Sequence, residues 1–506
     1  MSPVASVVAV LLVTTATLVV GAFGLRLSRT TSDFYVAGRA VTPGWNASAI
    51  SGEYLSAASF LGVAGLVLTA GTDMLWFPVG YTAGYLVLLV LVAAPLRRSG
   101  AYTLPDFAEA RLESARVRNA ASLLVVGIGW LYLIPQLQGA GLALRAVTGA
   151  PRWVGGVVVA VVVLLNVVAG GMRSITFVQA FQYWLKLTAI AVPLFFVLLV
   201  WHSQGPPSPA AAAGGADWVR PLSGTGGREH PLYGTYSIVL ALFFGTMGLP
   251  HVLVRFYTNP DGRGARRTTR TVIALLGAFY LFPPVYGALG RVYASDLVAG
   301  GQADTVVLLL PSRLVPGLGG QLLSALTTAG AFAAFLSTSS GLTMSIAGVL
   351  HQDLRRRRTG RARPDTLRGF RSATVVAISV PLALAVSSGS LSLADTVGLA
   401  FAVAASTFCP LLVLGIWWRR LSRTGALAGL VVGGGLASAA VLTTMAGLAG
   451  DGWGGSLLAQ PAAWTVPLAF AVMVAVSLAT PDSLPPNVSR TMVRLHTPED
   501  VAVDRR

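Results

Sequence analysis

The chain has 506 residues, 54% of them hydrophobic and only 11% charged, with a mean hydropathy of +0.70. Soluble domains average about 25% charged residues, so a soluble module is excluded and an all-α polytopic membrane protein is indicated. The net charge of +17 does not point to nucleic acid, because the arginines sit in short clusters between apolar spans, the pattern of cytoplasmic loops.

Apolar runs of spanning length fall roughly at 4–25, 44–69, 74–96, 119–148, 153–171, 176–201, 234–256, 271–293, 319–350, 372–388, 391–418, 424–449 and 462–480. This predicts about thirteen transmembrane helices, each near the ~20 residues a bilayer needs. The first run, Val4 to Leu25, has no basic residue before it and Arg26 and Arg29 after it. That is the reverse of a secretory signal and places the N-terminus outside. Alternating from there, the loops at 26–39, 97–118, 172–174, 257–270, 351–371 and 419–423 and the tail after 481 are cytoplasmic, as is the C-terminus. With Arg255 at the edge of one of them they hold 29 of the 35 arginines, and the outward side holds Arg145, Arg152, Arg220, Arg228, Arg291 and Arg313. The segment His202 to Tyr233 reads as a flexible outer linker. Ala294 to Leu318 also falls outside, with a short interfacial helix expected in its middle. The run Arg355–Arg358 lies beside a span and reads as a topology determinant that meets anionic lipid. The one cysteine, Cys409, lies in an apolar span, so no intramolecular disulfide can form.

A few polar residues stand at membrane depth. The stretch Trp45 to Leu66, WNASAISGEYLSAASFLGVAGL, carries Ser51-Gly52-Glu53 near its middle. A carboxylate at mid-bilayer costs about 2.5–3.5 kcal/mol on insertion scales, so it faces a cavity or a partner. The small residues around it read either as a helix kinked for packing or as one broken at a midplane binding site. Lys186 lies about twelve residues beyond Arg173-Ser174, roughly 18 Å along a helix. It is expected to pair with an intramembrane carboxylate, Glu53 being the candidate, or to line an aqueous inward path, with or without a role there.

A second break is expected in Phe244 to Tyr257, where Gly245, Gly248 and Pro250 interrupt a span ending with His251 and Arg255 four apart on one face. His251 is either a structural hydrogen-bonder or a ligand. Gly330 to Gly341, GAFAAFLSTSSG, puts four hydroxyls in a row at mid-span. They either bond back to their own helix or join unwound carbonyls around a small hard cation.

The two breaks suggest inverted repeats: five spans over 44–201 and five over 234–418, each opening on its interrupted helix, as an alternating-access carrier requires. The remaining divisions are a peripheral helix and loop (1–43), the linker (202–233), peripheral helices (419–480) and a tail (481–506).

These residues resemble the sodium:solute symporter family, from Ser32–Arg39 (SDFYVAGR) to about Gly429. GGMRSITFVQAFQ (170–182) is similar to the family signature at the start of the fifth core span, and PHVLVRF (250–256) to its bacterial members. GLPHVLVRFYT (248–258), GEYLSAASFLG (52–62), YTLPDF (102–107) and VGLAFAVAASTFCP (397–410), in that set, look like the acetate and short-chain monocarboxylate branch. The resemblance implies a leucine-transporter-like core of ten helices in the bacterial plasma membrane, no cofactor, and Na⁺ as coupling ion, with H⁺ the alternative. It implies a cation site of the Ala47, Ile50 and Ala334 carbonyls with the Ser337 and Thr338 hydroxyls. By the resemblance, substrate and gate positions fall at Glu53, Tyr54 and His251; the residues themselves add Gly52 and Gly248 at the breaks as substrate-binding candidates, and Gln179, Lys186 and Arg255 as accessory ones. Gln179 departs from the family, many of whose members have there an acid that helps the cation leave inward.

A monocarboxylate needs positive potential without a committed salt bridge, and helix N-termini at the breaks together with a bound cation supply it. Rival readings are a same-family carrier for proline or a sugar, a channel, and a membrane-bound enzyme. Channels line pores with repeated rings, and no ring repeats across these spans. No nucleophile constellation, metal-ligand spacing or phosphate-binding glycine loop points to an enzyme. The partners expected are therefore a small acid, a cation and lipid, with no nucleic acid; the oligomeric state is not legible.

Overall fold

The computed structural model describes residues 3–25, 41–205, 208–212, 215–223, 229–359, 367–387 and 392–501. The Ser32–Arg39 motif, parts of the expected outer linker, the side chains of Arg355–Arg358 and the tail from residue 502 lie outside the described residues. Every regular element among those described is helical. A bilayer demands this, because a helix satisfies its backbone polar groups internally.

Eleven helices among the described residues are long and apolar enough to cross a membrane, against about thirteen expected. The count differs in two places. Arg152–Val168 is apolar but short, and Ala58–Leu91 forms one apolar run. Gly71, at φ +79 and ψ −151, nevertheless turns the chain inside that run. A side chain there would be strained, and its Cβ would overlap the Trp218 carbonyl.

In chain order the helices that matter are α1 (Pro3–Leu25), α2 (Pro43–Tyr54), α3 (Val63–Ala70), α4 (Trp76–Leu91), α5 (Leu104–Leu112), α6 (Ala115–Thr148), α7 (Arg152–Val168) and α8 (Gly170–Gln204). They continue with α9 (Pro231–Gly245), α10 (Pro250–Val254), α11 (Gly262–Tyr280), α12 (Pro283–Tyr293), α13 (Val306–Leu314), α14 (Gly317–Thr359), α15 (Leu367–Ser387), α16 (Leu393–Trp417), α17 (Arg423–Met445) and α18 (Ala462–Ala479). Gly171, at φ +58, separates α7 from α8.

α14 and α16 are enclosed almost all round, whereas α1, α8, α15 and α18 turn much of their surface outward. Exposed apolar side chains such as Phe195 on α8, Leu123 on α6, Tyr236 on α9 and Leu442 on α17 make a surface suited to lipid and a liability in water. Arg111 of α5 donates from Nε to the Gly415 carbonyl (2.7 Å) and from Nη2 to that of Trp418 (3.1 Å). It thereby caps carbonyls that the end of α16 leaves without helical donors. Burial lowers the Arg111 guanidinium to about 10, which keeps it charged at neutral pH.

Candidate functional site

The first break is closed by side chains from other helices. In an α-helix the carbonyl of residue i accepts from the N–H of i+4. The last such bond of α2 runs from the Leu55 N–H to the Ser51 carbonyl, 3.0 Å, and helix resumes through a π turn at Ala58–Gly62. The carbonyls beyond Ser51 therefore need new donors. Gly52 O accepts from Ser337 Oγ at 2.7 Å and from Lys186 Nζ, and Leu55 O accepts from Lys186 Nζ at 2.8 Å. Glu53 O accepts from Thr338 Oγ1 at 2.6 Å. The Ala57 N–H, whose helical acceptor would be Glu53 O, donates to Gln136 Oε1 at 2.9 Å. With α6, α8 and α14 supplying partners, irregular backbone is tolerated at membrane depth.

The second break follows from Pro250, which has no N–H and forces the residue before it out of the helical region. α9 runs into a 3₁₀ turn at Thr246–Gly248, Leu249 is extended (φ −74, ψ 117), and α10 then gives way to a 3₁₀ turn at Arg255–Thr258. A Cβ at Gly248 would lie 2.5 Å from the Ala404 carbonyl, so this glycine lets the break rest on α16.

Three contacts tie the breaks together. Tyr54 Oη lies 2.8 Å from Thr246 Oγ1, Asn46 Nδ2 donates to the Arg255 carbonyl at 3.2 Å, and Arg255 Nε donates to Glu53 Oε2 at 2.7 Å. The Arg255 and Glu53 side chains are 1% and 2% exposed, so this ion pair is a dry one. The other two guanidinium nitrogens are bonded as well: Nη1 donates to Thr176 Oγ1 at 2.7 Å and Nη2 to Gln179 Oε1. A buried pair persists only when such extra hydrogen bonds complete it. Gln179 passes the link on, donating from Nε2 to the Ser337 carbonyl at 2.8 Å. An amide can accept and donate at once, which a carboxylate in its place could not do. Gly341 of α14 makes room for Glu53, since a Cβ there would overlap its carboxylate.

Aromatic side chains surround the same region. Ring centroids are 4.9 Å apart for Tyr54 and Tyr85, 5.2 Å for Tyr81 and Phe401, 5.2 Å for Tyr132 and His251, and 5.8 Å for Tyr132 and Phe401. In this group the Tyr81 and Tyr85 hydroxyls and both ring nitrogens of His251 have no hydrogen-bond partner, and neither has the buried Ser51 Oγ of α2. An unmatched buried polar group costs about 1–3 kcal/mol. Several such groups are gathered on the helices that carry the two breaks and on the span between them.

The structure rearranges the expected roles. Ser337 and Thr338 do face the first break, and the Ala334 carbonyl accepts from Ser337 Oγ at 3.1 Å. Ala47 and Ile50 lie within the regular turns of α2. The carbonyls that meet α14 are instead those of Gly52 and Glu53, because α2 continues to Tyr54 and does not break at Ser51-Gly52-Glu53. Lys186 neither pairs with Glu53 nor reaches water: its side chain is fully buried, and Nζ donates to Gly52 O, Leu55 O and Ser337 Oγ (2.7 Å). Of the expected substrate residues, Glu53 is committed to Arg255, Tyr54 to Thr246, and Gly248 to packing, while His251 keeps free nitrogens. Carbonyl and hydroxyl oxygens are the donor type a hard cation takes. The point where three of them converge is held by Lys186 Nζ.

Several residues of the site were not singled out from the sequence: Gln136, Thr176, Tyr81, Tyr85, Tyr132 and Gly341. Tyr81 and Tyr85 are four apart on an apolar span, a spacing that puts two hydroxyls on one helix face. Gln136, an amide following Pro135 at mid-span with Gln138 two residues on, carried a similar signal. Gly341 carried none.

The sodium:solute symporter family profile matches residues 34–433. A Bacillus subtilis (strain 168) protein described as an uncharacterized symporter, YwcA, is 34% identical over 471 residues, 90% of each chain. A Corynebacterium glutamicum protein described as a monocarboxylic acid transporter is 33% identical over 517 residues, 95% of this chain and 92% of that one. Among solved structures, a substrate-bound, outward-open Na⁺-coupled sialic acid symporter matches with a TM-score of 0.69 at 17% identity, over 94% of this chain and 98% of its own. MHP1, a nucleobase-cation-symport-1 family transporter, matches at 0.53 and 15%, over 92% and 99%. At these identities the likeness concerns the fold alone, that of leucine-transporter-like carriers. On the extent of the family match and of the two relatives, the chain belongs to the sodium:solute symporter family and is a multi-pass membrane transporter.

Proposed function

We propose that this transporter couples uptake of acetate or a related short-chain monocarboxylate to Na⁺ by alternating access. The observation that carries the reading is the group of unmatched buried donors, Ser51, Tyr81, Tyr85 and His251, beside two broken helices. Hydroxyl and imidazole N–H groups suit a carboxylate, and the rings of Tyr132 and Phe401 suit its short apolar end. The rings touch one another at 4.9–5.8 Å between centroids, so the smallest acids need the least parting of the walls. Arg255 is already spent on Glu53, which leaves the anion held without a full salt bridge and free to leave.

A cation beside Ser337 and Thr338 would add positive potential, making the loading of ion and acid mutually dependent. Excess Na⁺ carried with the anion gains about 2.3 kcal/mol per charge per 100 mV. In this reading the repeats are 44–201 and 234–418, with the N-terminus outside and the C-terminus cytoplasmic, and the broken helices α2/α3 and α9/α10 occupy equivalent places in them. The relative described as a monocarboxylic acid transporter supports the substrate class.

A competition panel tests the reading. Acetate, propionate and pyruvate should displace one another in uptake by the purified carrier, while proline and sugars leave acetate uptake unaltered. Displacement of acetate by proline, with none by propionate, would refute the substrate class.

A further inference from the structure

We propose that the amino group of Lys186 is a tethered occupant of the cation seat, which Na⁺ enters only when Lys186 withdraws. The proposal rests on the reading of Gly52 O, Leu55 O and Ser337 Oγ as that seat. All three are hydrogen-bond partners of Lys186 Nζ, at 2.8 Å for Leu55 O and 2.7 Å for Ser337 Oγ. They match the three donors of a lysine head group one for one. They are also the mixture of unwound carbonyls and a hydroxyl that a small desolvated cation takes. A cation bound to these oxygens and Nζ bonded to them would stand at the same point, so the two exclude one another.

Glu53, whose charge is near enough to act on the lysine, makes its direct contact with Arg255 instead. The lysine's bonds reach both sides of the first break, to Gly52 and Leu55, and across to Ser337 on α14. In the ion-free carrier the lysine therefore does what the ion would do, joining the break to α14 and leaving no bare carbonyl at membrane depth. Its stem carries four flexible carbons, which lets the head group leave the seat without movement of α8. Na⁺ binding is then an exchange of one occupant for another, and the time the lysine spends in the seat weakens the apparent Na⁺ affinity in proportion.

The test reads Na⁺ binding without substrate or transport. The thermal unfolding midpoint of the purified full-length protein is followed as NaCl replaces choline chloride at constant ionic strength. Lys186→Ala should half-saturate with Na⁺ at a concentration roughly tenfold or more below that of the wild type. Lys186→Gln, which keeps a polar head in a variant that disturbs the fold less, should shift in the same direction. A Na⁺ response that appears in the variants and is absent from the wild type also supports the exchange. A wild-type response abolished by Ser337→Ala but unmoved, or weakened, by both lysine variants would overturn the exchange and leave the seat in place. A response indifferent to Ser337→Ala, or absent from every protein, would overturn the seat and the proposal together.

Discussion

Arg255 Nε stands 2.7 Å from Glu53 Oε2, so a guanidinium following one broken helix is locked to a carboxylate at the end of the other. The residues are 202 positions apart in the chain. Their pairing makes the two breaks one mechanical unit. Removing one partner of a buried pair leaves an uncompensated charge and costs about 3–5 kcal/mol. Glu53→Gln and Arg255→Gln should each lower the apparent Tm strongly and abolish uptake, and the double variant should be less destabilised than the two single effects combined. Simple additivity in that cycle would show that the pair does not act as one.

Gly341 gives a sharper version of the same test. A Cβ there would overlap the Glu53 carboxylate, whereas a Cβ at Gly348, two turns further along α14, meets nothing within 4 Å. Gly341→Ala should cost most of the uptake, and Gly348→Ala should resemble the wild type in both uptake and expression. Comparable behaviour of the two would mean that Glu53 need not sit where it does.

Gln136 holds the far side of the first break through the Ala57 N–H. Gln136→Leu leaves that donor unmatched, at a cost of about 1–3 kcal/mol, and should slow uptake. Gln136→Glu retains an acceptor and should keep more activity than Gln136→Leu. The reverse order would place the importance of Gln136 elsewhere.

Asp304 lies in the short turn Ala303–Thr305, outside the spanning helices, and its Oδ2 accepts from the Leu393 N–H at 3.1 Å. Burial raises its carboxyl to about 6 from 3.8; the Leu393 hydrogen bond opposes the rise and the Asp395 charge adds to it. For an acid raised in the folded state, the protonated form favours folding. The group therefore has no destabilising effect below about pH 4; the effect grows between about pH 4 and pH 6 and levels off above that. The apparent Tm of the wild type should fall between about pH 4 and pH 7 by more than that of Asp304→Asn. Equal falls would remove Asp304 as the group responsible.

The sequence carried the second break more fully than the first. Gly245, Gly248 and Pro250 act on their own backbone, so their effect is legible from the chain alone. The first break has no proline. Its position, after Tyr54, is fixed by Lys186, Ser337, Thr338 and Gln136, which are brought together only by folding. For the same reason depth suggested Lys186 as the partner of Glu53, while the fold supplied Arg255. Residue type and depth marked which groups had to be satisfied, and packing decided which partner each one met. The hydroxyl run at Ser337-Thr338 stood out because four adjacent hydroxyls exceed what one helix needs, and two of them bond the Gly52 and Glu53 carbonyls of the first break. The aromatic surround was not, because tyrosines on apolar spans are ordinary lipid-boundary and core residues.

The most direct test of a small acid carried with a cation between two broken helices is labelled acetate uptake by the purified protein in proteoliposomes, with and without an inward Na⁺ gradient. Transient accumulation above the external acetate concentration, collapsing when a sodium ionophore is added, is the result expected. Equal uptake with and without the gradient would contradict it.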